Sequence, residues 1–107
     1  MEQTEDLDSN RRELVAVAES MLAGTANLLE GVRRVCALRF SVADPENSVF
    51  LALRAIDSET DHFPLGAMRA RCSPEHLKRA DEEIEAYLTD ARKDILQACR
   101  DVVNAFS

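Results

Sequence analysis

The chain has 107 residues, enough for one domain with its own core. It carries 13 basic against 20 acidic side chains, a net charge of −7. That balance disfavours binding to nucleic acid or to anionic membranes, which need a net basic face, and it suits a basic protein partner.

Residues 1–8 are acidic and polar, and Leu7 is their only sizeable aliphatic side chain after Met1, so they read as a disordered acidic tail ahead of a single helical domain over 9–107. Asp8 or Ser9 can cap a first helix. Its apolar stripe is Leu14, Val17, Ala18, Met21 and Leu22, at steps of three and four. Gly24 stops it. Thr25 or Asn27 opens a second helix with Leu28, Leu29, Val32, Val35, Cys36 and Leu38 on its apolar side. Gly31 costs this helix roughly 1 kcal/mol against Ala, which points to close packing on a neighbour. Phe40 and Val42 should cover the core.

Asp44-Pro45-Glu46 has the form of a helix start, with a capping acid, a proline at the first helical position and an acid in the first turn. The third stripe is Val49, Phe50, Leu53 and Ile56, fading over Asp57 to Thr60. Residues 61–72 form the one long irregular segment, with a short helical turn at 66–71. Phe63, Leu65 and Met68 should tuck beneath it. Ser73-Pro74-Glu75 starts the last helix, which meets no Gly or Pro before Phe106. The spacing predicts about 30 residues, about 45–50 Å long, with Thr89-Asp90 as a point where it could break. The fold expected is all-α: about four helices in an antiparallel, bundle-like array with a long C-terminal helix.

Residues 54–66 concentrate the unusual chemistry. Asp57, Glu59, Asp61 and His62 crowd the end of the third helix. Helix ends favour cations, so these acids cost stability unless something answers them. Asp57, Glu59 and Asp61 have the spacing that opens a calcium loop. The sixth and twelfth positions of that loop are His62 and Met68, where Gly and a carboxylate are required, so no calcium site is expected. His62 and His76 lack neighbouring ligands, and no other metal or cofactor is implied. Arg54, three residues before Asp57, could pair with it.

Cys36, Cys72 and Cys99 are odd in number and far apart, which fits free thiols in a reducing, cytoplasmic setting. The acidic start of the chain is the reverse of a signal peptide, and no apolar run reaches the ~18 residues of a membrane span. Cys72 follows Arg69 and Arg71, a setting that can activate a thiol. Nothing in the sequence supplies the base, oxyanion donors or pocket that nucleophilic catalysis needs, so no enzymatic activity is expected.

The string Ala55-Ile56-Asp57-Ser58-Glu59-Thr60-Asp61-His62, then Pro64 and Gly66, Ser73-Pro74-Glu75 and the final Ala98-Cys99-Arg100 resemble a group of short bacterial all-helical proteins. The resemblance spans roughly residues 10–106 and extends to immunity proteins of contact-dependent growth inhibition toxin systems. It implies a non-enzymatic inhibitor that meets a basic toxin domain through an acidic surface. Cys72 departs from the pattern, since a bulky aromatic is expected there. The acidic loop at the helix end itself suits a protein–protein interface, and the partner-binding residues expected there are Asp57, Glu59, Asp61 and His62, extended by Glu46 or Glu82. The alternative is a helical adaptor, or a homodimer formed through the helix at 74–106.

Overall fold

The computed structural model describes the chain from Glu2 to Ser107, with side chains from Asp6 onward; Met1 of the expected tail lies outside the described residues. Four α-helices carry the fold: α1 (Glu2–Ala23), α2 (Leu28–Ser41), α3 (Leu51–Thr60) and α4 (Pro74–Phe106). There is no strand among the described residues, so the all-α expectation holds.

α1 begins earlier than a cap at Asp8 or Ser9 implies. No Gly or Pro interrupts residues 2–23, so nothing in the backbone stops the helix from continuing N-terminally past them. Gly24 ends α1 at φ +78°, a conformation that glycine adopts without strain. Asn27 then caps α2, its side-chain oxygen accepting from the Glu30 N–H at 3.0 Å.

The third helix starts later than Pro45. Asn47 is the residue that caps, accepting from the Val49 N–H at 3.0 Å while its own amide donates to Asp44 at 2.9 Å. Asp44 is thereby drawn into holding Asn47 instead of a helix end. A single 3₁₀ turn, Ser48–Phe50, leads into α3. After α3, a second 3₁₀ turn occupies Gly66–Arg71, as the sequence suggests. Ser73 caps α4 by accepting from the His76 N–H at 3.1 Å, with Pro74 at the first helical position. α4 runs 33 residues without a break. At the suspected weak point, the Thr89 hydroxyl donates back to the Glu85 carbonyl at 2.9 Å and stays within the helix.

Cross-helix contacts set the directions. Near the start of α1, the Asn10 amide donates to the Ser41 carbonyl at the end of α2, while Met21 meets Gly31 near the α2 start. Arg11 lies over the Phe106 ring, while Met21 accepts from the Cys99 thiol. Phe50 packs on Phe106, and Glu59 bonds Tyr87 farther back along α4. Each pair is antiparallel, with α4 as the spine of a body measuring 50 × 27 × 24 Å.

The core unites Leu14, Met21, Leu29, Val32, Phe50, Leu53, Ile95 and Val102, all essentially sealed from solvent. Each such side chain contributes about 1.5–3 kcal/mol by leaving water. Gly31 admits Met21 to this core: a Cβ there would lie 2.5 Å from the Met21 sulfur. Two expected core residues are instead exposed, Phe40 by 62% and Met68 by 57%. Val42 is buried as expected, whereas the Phe40 ring stays outside and carries the Arg39 guanidinium. Phe63, Pro64 and Leu65 of the same segment are buried, whereas Met68 stays in solvent. No helix among the described residues is long and apolar enough to cross a membrane.

Candidate functional site

The carbonyls that close α3 meet a cation on α2. Arg33 reaches across, and its Nη2 donates to the carbonyls of Thr60 at 2.8 Å, Phe63 at 2.9 Å and Asp61 at 3.3 Å. A helix end leaves carbonyls without intrahelical donors and carries partial negative charge, and a guanidinium satisfies both needs at once. Thr60 is buried beneath this contact, its hydroxyl donating to the Ile56 carbonyl at 2.7 Å. The bracing residue was legible in one respect. Arg33 adjoins Val32 and lies three residues before Cys36, on the edge of the buried α2 stripe, where a long side chain reaches a neighbouring helix.

Because Arg33 is spent on carbonyls, the carboxylates at the corner are left outside. Asp61 is exposed, and its side chain makes no hydrogen bond or ion pair among the described residues. Glu59 is exposed too, and accepts from the Tyr87 hydroxyl at 2.9 Å. Burial, followed by this bond, pushes the Tyr87 phenol up to about 12, so it stays a donor. His62 is exposed with its ring 4.3 Å from that of Phe63, and it borders a cleft of ≈ 270 Å³ shared with His76, Arg79 and Glu83.

The other candidates lie elsewhere. Asp57 is half-buried and lines a groove between α2 and α3. Glu46 pairs with Arg54 at 3.2 Å and approaches Arg39 at 4.0 Å. Arg54 therefore answers Glu46, and its expected pairing with Asp57 does not form. Glu82 lies on α4 beside Leu77, Lys78, Asp81 and Glu85 along an open, largely apolar-floored groove. There Arg69 takes Asp81 in a two-pronged contact at 2.8 and 2.9 Å, and that hydrogen bonding holds the Asp81 carboxyl below the usual range. Glu82, Glu83 and Glu85 stay exposed. The structure thus gathers Glu59, Asp61 and His62 into one corner, links it to α4 through Tyr87, and separates Asp57 and Glu46 from it.

Cys72 is half-buried, with its thiol directed to the Met68 carbonyl at 3.5 Å; no basic side chain accepts from it among the described residues. Cys36 and Cys99 are buried, and burial pushes both thiols up to about 11. No cluster of three or more His, Cys, Asp or Glu side chains suited to a metal ion occurs among the described residues. None of the family models, curated proteins or solved structures compared with the chain matches it.

Proposed function

We propose that the protein is a non-enzymatic binding domain that neutralises a basic protein partner through the acidic corner at the end of α3 and the adjoining half of α4. In its specific form it is an immunity-type inhibitor that covers the basic surface of a bacterial toxin. The observation that carries this reading is the division of labour at the corner. Arg33 serves the backbone carbonyls, so Glu59 and Asp61 keep exposed carboxylates on a braced frame.

A braced frame matters for affinity, because charges already fixed in place lose little freedom on binding. Complementary charge would mainly speed encounter and reject wrong partners, and polar contacts near His62 would set the register. Glu82 extends the same sign of charge along α4. Asp57 and Glu46 fall outside this contact, since Asp57 lines the groove between α2 and α3 and Glu46 pairs with Arg54.

The test is co-expression with a toxin domain encoded by a neighbouring gene. Wild type should restore growth and co-elute with the toxin in gel filtration. The combined variant E59Q/D61N/E82Q should lose both while keeping its helical circular dichroism. Continued killing by the toxin in the presence of wild type, or the absence of a complex, would refute the reading.

A further inference from the structure

The groove between α2 and α3 carries the opposite sign to the rest of the molecule. Arg33, Arg39 and Arg54 line it against a single carboxylate, Asp57, leaving two positive charges in excess. Glu46 at its lip offsets one of them, but this side chain is 80% exposed and its contacts are screened by water. The groove encloses ≈ 380 Å³, a volume suited to a small ligand.

Much of its donor capacity is unused. Among the described residues, Arg39 spends Nη1 on the Pro45 carbonyl, Arg54 spends Nη1 on Glu46, and Arg33 spends Nη2 on the corner. Arg39 Nε is buried and has no partner, so the positive charge there is held out of water without full compensation. Arg39 and Arg54 already converge on one carboxylate, which shows that two guanidiniums can close on a single anionic group. Beside them stands Phe40, 62% exposed and stacked on one side by Arg39. A large aromatic left in water at the rim of a cationic groove supplies a surface for a flat ring.

We propose that this groove binds a small phosphate monoester with a flat ring, the phosphate on Arg39 and Arg54 in place of Glu46 and the ring against Phe40. A dianion matches the two excess charges once Glu46 swings out; a monoanion does not. The proposal stands apart from the acidic-corner reading, because it concerns another face and a ligand of opposite charge.

The experiment is calorimetric titration of the full chain with phenyl phosphate, inorganic phosphate and benzoate, supported by amide chemical shifts. Phenyl phosphate should bind most tightly, with shifts confined to residues around Arg39, Phe40 and Arg54. E46Q should bind it several-fold more tightly, because the competing carboxylate is gone. This gain cannot arise from misfolding. R54Q should weaken binding about ten-fold with the circular dichroism unchanged, as expected for loss of one charge-assisted contact. Absence of binding at millimolar phenyl phosphate, an unchanged affinity in E46Q, or benzoate binding as tightly as phenyl phosphate would each overturn the proposal. Tighter binding of a phosphotyrosine peptide would likewise overturn it, by assigning the groove to a protein partner.

Discussion

Arg33→Met is the perturbation that tests the bracing of the corner most directly. Methionine keeps the aliphatic stem and removes the donors. Three carbonyls, those of Thr60, Asp61 and Phe63, lose their guanidinium contact at 2.8, 3.3 and 2.9 Å. A hydrogen bond to a charged group is worth about 1.5–3 kcal/mol, but one nitrogen carries only two protons, so the three contacts count as about two bonds. Partial solvent access lowers the sum, and the expected loss is about 3 kcal/mol. That is a large share of the roughly 5–15 kcal/mol typical of a domain. Urea unfolding followed by circular dichroism measures it as a lower midpoint at unchanged slope. The companion variant D57N/E59Q/D61N distinguishes charge from geometry. In the Arg33→Met background, removing the acids should restore about 1–2 kcal/mol, since each acid near an unanswered helix C-terminus costs about 0.3–1 kcal/mol. In wild type the same three changes should do much less. A loss under about 0.5 kcal/mol for Arg33→Met, or equal effects of the triple change in both backgrounds, would refute the argument.

Gly31→Ala should lower the melting temperature by several degrees, because its Cβ would intrude to 2.5 Å from the buried Met21 sulfur, and the resulting overpacking outweighs the helix propensity gained. An equal or higher melting temperature in a calorimetric scan would contradict this. Phe50→Ala removes a fully buried ring packed 5.6 Å from Phe106 and should cost about 3–5 kcal/mol in the same unfolding assay. Iodoacetamide at pH 8 should modify only Cys72 in the native protein and all three cysteines in urea, counted by intact mass. The buried thiols also set a pH dependence. Their folded values, about 11, lie above the ordinary 9.0, so the unfolded chain deprotonates first and stability falls as pH rises from about 9 towards 11. Urea midpoints that stay level or rise across that range would count against their burial.

The helices themselves could be read from local chemistry. Gly24, Asn27 and the Ser73-Pro74 start mark chain reversals or caps by rules that act within a few residues. Asp44-Pro45-Glu46 follows the same rule and misleads, because Asn47 competes for Asp44 and wins the capping role. Phe40 and Met68 mislead for another reason: their apolar character foretells burial only if no neighbour has already filled the space, which is a tertiary fact. The corner at 57–62 was conspicuous as an excess of acid. The cation that braces its carbonyls lies 27 to 30 residues away in sequence, on another helix. Spacing within one helix points only to Arg54, three residues before Asp57, and Arg54 pairs with Glu46. The groove was hidden for the same reason, since Arg33, Arg39 and Arg54 form one electropositive surface only after α2 and α3 pack side by side.

Arg33 belongs to two surfaces at once. One of its nitrogens holds the carbonyls that shape the acidic corner, and its side chain also forms part of the wall of the arginine groove. A force on the guanidinium from either side is therefore felt on the other. An anion that drew it into the groove would loosen the turn carrying Asp61 and His62, and a partner that tightened that turn would withdraw it from the groove. Thermodynamic linkage makes the exchange symmetrical: whatever factor one occupant imposes on the affinity of the other is returned in equal measure.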